Sequence, residues 1–418
     1  MRRTQPLRTL ALAFFWVALN GAPAVWAQTP ETAAGPSVDA SQSTEPAATD
    51  VANAAAVDPA ATDNAAETAN EAGAPPPVTA SASLGAWQDP ASAPSEMVNL
   101  DRVLRSMLLD GTNARDRAVI VGDRGHILVS ESRREWRQIA APTRTMLTAV
   151  TALDNDVWAV GHDQVIIKSK DGGLTWTRQH ADIQSEGPLL DVLFLDAQRG
   201  FAVGAYGQFL STADGGSAWT VQAISERTGA AVTAAAPNAA APTAELDAAD
   251  SADAGLASTD VGEDEGDPHL NGIVRTAAGL LIVGEAGAAY RSSDDGASWE
   301  RADVPYEGSM FGAVGLDNGS VIAFGLRGNA FMTADLGRTW QRMQTGTQAS
   351  LLGGSAVAGG RAVLVGASGT VLLALDGSTQ LKGLSFPDGG VMSGVLPLAE
   401  TEFLVMGENG VATYQPKN

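Results

Sequence analysis

Four histidines, His126, His162, His180 and His269, are the first residues to question for metal or acid–base chemistry. None stands at ligand spacing from another, and His162-Asp163 reads as a loop between strands, so no metal and no other cofactor is expected. The chain has no cysteine to act as nucleophile or ligand, and no G-x-S-x-G elbow. Paired acids such as Asp294-Asp295 fall inside a recurring turn, where a structural part is expected. What the spacing does allow is recognition, with polar or aromatic side chains at matching points of successive repeats. The candidates for contacting a partner are Arg124, His162, Tyr206, Glu285, Arg327 and Glu408.

The elements that would position them recur seven times. An apolar strand ends in Gly, two or three residues follow, and a second strand begins. The runs are AVIVGDRG, VWAVGHDQ, FAVGAYG, LLIVGEAG, VIAFGLRG, AVLVGASG and FLVMGENG. Their leading glycines, Gly122, Gly161, Gly204, Gly284, Gly325, Gly366 and Gly407, are separated by 39, 43, 80, 41, 41 and 41 residues. A strand pattern with a fixed period of this size predicts a β-propeller blade. One such unit cannot bury both faces of its sheet, whereas a closed ring of seven can. The expected fold is therefore all-β, a seven-bladed propeller of four-stranded antiparallel blades.

A second motif follows the hairpin in four blades and fits S/T-x-D-x-G-x-x-W. It carries Asp171 and Trp176, Asp214 and Trp219, Asp294 and Trp299, and Asp335 and Trp340. The Asp and the hydroxyl can close a turn on nearby backbone, the Gly supplies an unusual backbone conformation, and the Trp offers an apolar plate to a neighbouring blade. Blade 1 has the degenerate SESRREW, blade 6 has ALDGSTQL without the Trp, and the chain ends before a box in blade 7. An unfinished last blade takes its missing strand from the other terminus. The stretch GAWQDPA around Trp87 resembles the strands that follow full boxes, so residues 84–90 are expected to close the ring.

Outside the repeats the composition changes. Residues 1–27 read as a signal peptide, with Arg2, Arg3 and Arg8 before the apolar run Leu10 to Leu19 and a cleavage point after Ala27. That run is too short to span a bilayer, so no direct membrane insertion is expected. Export to the periplasm is expected instead. Residues 28–83 are Ala, Pro, Ser, Thr, Asp and Glu with almost no large apolar side chain, which predicts a disordered tether. A similar acidic insert at about 225–268 accounts for the 80-residue spacing between blades 3 and 4, so the propeller is placed in residues 84–418. The formal net charge is −22, and residues 28–95 and 225–268 each contribute −9, so the blades themselves are only mildly acidic. Such charge argues against a nucleic-acid partner or an anionic membrane surface.

The S/T-x-D-x-G-x-x-W turns resemble the Asp box of bacterial neuraminidase repeats. That resemblance invites a glycosidase reading, but in neuraminidases the boxes sit away from the active site. Sialidase chemistry needs an arginine cluster and a Tyr nucleophile with acid partners. This chain has only Tyr206, Tyr290, Tyr306 and Tyr414 and lacks the Arg-Ile-Pro motif near its start, so catalysis is not expected. The signal peptide, the VGxxG hairpins and the boxes together resemble the photosystem II stability/assembly factor family. That resemblance implies a non-catalytic scaffold that holds a membrane-protein or envelope-protein client during assembly. Relatives in non-photosynthetic bacteria imply an alternative, an accessory of a resistance-nodulation-division superfamily transporter. The arginine-rich client patch of the photosynthetic members has no residue-by-residue counterpart here, and the acidic insert is foreign to their compact pattern. In such a blade the VGxxG loops share one face with the blade-to-blade connections, and the box turns lie on the other. The first face is where a partner is expected to dock.

Overall fold

The computed structural model describes residues 89–185, 187–224, 267–386, 389–399 and 402–416. The expected leader, the expected tether, Trp87 and most of the acidic insert lie outside these residues. The described chain forms a seven-bladed β-propeller of antiparallel sheets. Six blades have four strands in sequential order and the seventh has three. The innermost strands are Leu108–Ala114, Leu147–Leu153, Leu189–Phe194, Leu270–Thr276, Met310–Gly315, Leu351–Val357 and Met392–Ala399. Each meets the next, and the seventh meets the first, so the ring is closed.

Every second strand is buried along nearly its whole length, as its run of Val, Ile, Leu and Ala dictates. Blades bury these faces against each other, and each of the seven seams holds its own apolar cluster. The box tryptophans pack against a neighbouring blade, as expected, and that neighbour is the preceding one. Trp176 enters the cluster between blades 1 and 2, and Trp299 the one between blades 3 and 4. In blade 6, Leu381 stands at the missing tryptophan's position and fills the seam with blade 5.

All seven inner strands carry a β-bulge at their second residue. A bulged residue leaves the ladder with its own sheet and can be aimed elsewhere. Here it and the residue after it reach the next blade. Asp110 Oδ2 accepts from Val150 N at 2.8 Å, and Asp191 Oδ2 from Ile273 N at 2.8 Å. Thr148 Oγ1 donates to the Leu189 carbonyl at 2.7 Å, Asn271 Nδ2 to Met310 O at 2.9 Å, and Ser393 Oγ to Leu108 O at 2.9 Å. Five of the seven seams are thus clipped near the axis, the last of them being the one that closes the ring.

In blade 7 three strands are described, and most of the stretch expected to add a fourth lies outside the described residues. Of the stretch expected to add a fourth strand, only Asp89 and Pro90 are described, and they lie against blades 1 and 2. The Pro90 carbonyl accepts from Arg144 N at 2.9 Å, and Ala91 is buried between those blades. Farther along, a short helix, Leu100–Val103, covers the seam between blades 7 and 1. Val103 is fully buried there, and the Leu104 carbonyl accepts from Val411 N at 3.2 Å, at the start of the third strand. Four apolar residues within seven positions, Val98, Leu100, Val103 and Leu104, pack better as a helix turn on that seam than as a pleated strand.

Candidate docking face

Each VGxxG turn is built the same way. The residue after the leading Gly donates its N–H to the carbonyl just before the inner strand of its own blade, as Asp123 does to Met107 O at 3.0 Å and Ala367 to Ser350 O at 2.9 Å. The leading glycine is extended, and its need is space: a Cβ at Gly366 would lie 2.0 Å from the Ser350 carbonyl oxygen. The trailing glycine is needed for conformation, with φ +69° at Gly125 and +67° at Gly369. Between them sits a left-handed residue that is not glycine: Arg124, Asp163, Tyr206, Ala286, Arg327 or Ser368, with φ from +50° to +56°.

The turns share their face with the blade-to-blade connections. Asp182 N donates to Asp163 O at 2.8 Å, Gly207 N to Pro268 O at 3.0 Å, Val304 N to Gly287 O at 2.9 Å and Gly369 N to Gly390 O at 2.8 Å. The six candidate residues come from blades 1, 2, 3, 4, 5 and 7. They stand around this face rather than converging on one pocket.

Their roles separate. Arg124 and Arg327 project into solvent. Tyr206 is 48% exposed, with its ring edge-on to His269 at 4.7 Å. Glu285 is engaged: its carboxylate lies 3.5 Å from His269 Nδ1 and accepts from His269 N. Glu408 Oε1 accepts from Val391 N at 2.9 Å and braces its own blade. His162 is half-buried, and burial holds its imidazole below the usual pKa, against the pull of Asp163 and Asp123.

The structural boxes close as their composition dictates. In blade 4, Ser292 Oγ donates to Asp294 Oδ1 at 2.7 Å and accepts from Gly296 N at 2.8 Å. Ser298 donates to Asp294 through N at 2.9 Å and Oγ at 2.6 Å. Asp171 and Asp335 are held in the same way, and Asp214 by the Ala218 backbone alone at the last position. A cleft of about 200 Å³ lies beside these turns between blades 4 and 5. Its carboxylates are committed, Asp335 to the turn and Glu300 to Arg291 at 2.7 Å. Among the described residues no cluster of three His, Asp or Glu could hold a metal ion, and no helix is long and apolar enough to cross a membrane.

Three features escape a reading of the sequence. Asp110 and Asp191 face the axis as the only acids on the seven inner strands. The recurrence of Leu/Met-x-Asp/Gly/Ala at the start of these strands was the available signal. Gln164 occupies the trailing-glycine position of blade 2 at φ +48°. Ile183, in the connection from blade 2 to blade 3, is 42% exposed on the same face.

No protein-family model and no curated protein matches the chain. Solved structures do. YCF48 bound to a D1 peptide aligns with a TM-score of 0.53 at 14% identity, over 79% of this chain and 99% of that one. The WD40 propeller domain of Doa1 aligns with a TM-score of 0.55 at 11% identity, over 78% and 97%. The GH74 enzyme of Niastella koreensis aligns with a TM-score of 0.54 at 14% identity, over 75% of this chain and 53% of that one. At these identities the likeness is one of fold, and that fold serves binding proteins and glycoside hydrolases alike.

Proposed function

We propose that this chain is an exported, non-catalytic propeller that grips a client protein or peptide on its VGxxG face, in the assembly or stabilisation of an envelope membrane complex. The observation that carries this reading is the set of left-handed turn tips. A bulky residue at positive φ costs free energy, and such strain persists where the side chain's placement is useful. Three of the six tips hold Arg or Tyr, the side chains most enriched where binding energy concentrates. The likeness in fold to YCF48, solved with a peptide, supports the reading. The S/T-x-D-x-G-x-x-W turns then act as Asp boxes in the service of the fold, on the face away from the client.

Crosslinking in the native envelope, followed by capture of the tagged full chain, tests the reading. Arg124→Glu/Arg327→Glu and Tyr206→Ala should each reduce recovery of a captured client about tenfold or more. Recovery unchanged by both variants, with the fold intact by circular dichroism, overturns it.

A further inference from the structure

The VGxxG face is electrically divided. On its blade 2 to blade 5 arc, the described residues of 161–165, 181–188, 204–208, 267–269, 284–288 and 302–309 include no Lys or Arg. The same segments carry Asp163, Asp182, Asp267, Glu285 and Glu307, while Asp303 is paired with the adjoining Arg301 at 2.6 Å. The remaining arc bears Arg124, Arg144 and Arg327 beside Asp123 and Glu408. Within the acidic arc the face also exposes its apolar surface. Ile183 and Tyr206 are two of five large apolar side chains exposed among the described residues. The connection that carries Ile183 runs past Tyr206 at Gly187, where a Cβ would lie 3.0 Å from Tyr206 Cδ2.

Gln164 ties this spot together from below. The residue is 2% exposed, and its Nε2 donates to Ser185 Oγ at 2.5 Å and to Gln208 Oε1. Gln208 Nε2 donates to the same Ser185 hydroxyl at 2.7 Å. Ser185 lies two residues after Ile183, and Gln208 two after Tyr206, so the node joins the two segments that carry the exposed side chains. Gln164 Oε1 is buried with no hydrogen-bond partner, a state that costs about 1–3 kcal/mol. Six of the seven repeats have glycine at this position and avoid both the strain and the orphaned oxygen. The carboxamide here braces the connection and the turn that carry Ile183 and Tyr206.

We infer that the seam of blades 2 to 4 docks a cationic peptide segment bearing large apolar side chains. Apolar side chains of the segment pack on Ile183 and on Tyr206, and Lys or Arg on either side meet Asp182 and Glu285. The inference rests on the proposed docking face and names the chemistry of its occupant.

The test uses the full chain and a short fluorescent peptide alternating Lys and Leu around one Trp. Two companions replace every Lys by Glu, or Leu and Trp by Ser. The Lys/Leu peptide should bind at least about tenfold more tightly than either companion, with affinity falling as salt rises. Ile183→Ser/Tyr206→Ser should weaken it about tenfold. Asp182→Lys/Glu285→Lys should weaken it similarly and flatten the salt dependence. Gln164→Gly restores the residue of the other turns and should lower affinity while leaving the melting temperature at or above that of the parent. Preference for the Glu peptide, or affinity indifferent to Ile183 and Tyr206, overturns the inference. A native client captured through Arg124 and Arg327 alone would keep the docking face and still remove this occupant.

Discussion

Two kinds of aspartate hold this molecule, and their titrations run in opposite directions. Asp294 takes hydrogen bonds from Ser298 and Ser292, which pull its pKa down to about 2. That contribution to stability is present above the unfolded value of 3.8 and is lost as pH falls toward 2. Asp110 and Asp191 are the reverse. Burial raises Asp110 to about 6 despite hydrogen bonds from Val150 and Gly111. Burial, with the nearby charge of Asp110, raises Asp191 to about 7 against the Ile273 and Val192 amides. From about pH 4 upward the folded chain therefore holds protons that the unfolded chain has released. Their share of stability is complete below 3.8 and lost as pH rises through 6 to 7. Asp110→Asn/Asp191→Asn should melt several degrees higher than the parent at pH 8 and close to it at pH 4.5, by circular dichroism. Parallel melting curves across pH would refute the assignment. The box aspartates were legible because motif and chemistry coincide within a few residues. Asp110 and Asp191 were not, because their partners lie 40 and 82 residues away and are reached only through the bulge.

At the scale of the element, the hairpin was legible from VGxxG, but the two glycines do different work. The leading glycine leaves room for a neighbouring carbonyl, whereas the trailing one adopts a positive φ. Gly366→Ala should destabilise by about 1–3 kcal/mol, because its Cβ would meet the Ser350 carbonyl and the Leu351 Cα and the strand must shift. Gly383, in the outer strand of the same blade, has nothing within 4 Å of a built Cβ. Gly383→Ala should be neutral or stabilise by about 0.4–1 kcal/mol. Urea titration of the two variants measures the contrast, and equal effects would show that steric approach is not the reason for the glycine. The closing strand expected around Trp87 falls almost wholly outside the described residues. Among the described residues, it is Val98 to Leu104 that bring apolar surface to the seam between blades 7 and 1.

The number of blades followed from the period, since seven copies at one spacing leave little choice of ring. What closes the ring did not follow from it. The seam between blades 7 and 1 relies on Ser393, on the cluster around Leu108, Trp136 and Met406, and on the Leu100–Val103 helix laid over it. A chain beginning at Met107 would lose Val98, Leu100, Val103 and Leu104 from that seam. It should lose about 3 kcal/mol or more of stability and bind a dye that reports exposed apolar surface. A truncated chain that melts with the parent would show that the strands alone suffice for closure. The client was the least legible property, because the fold constrains the backbone of each turn and leaves the tip's side chain open.

That freedom has a consequence for how such a protein can change. The carbonyl contact and the glycine pair fix each turn without reference to the residue at its apex. The apices can be rewritten like type set in a fixed frame. Alteration at six positions would give the wheel a new correspondent while every spoke stays where it was.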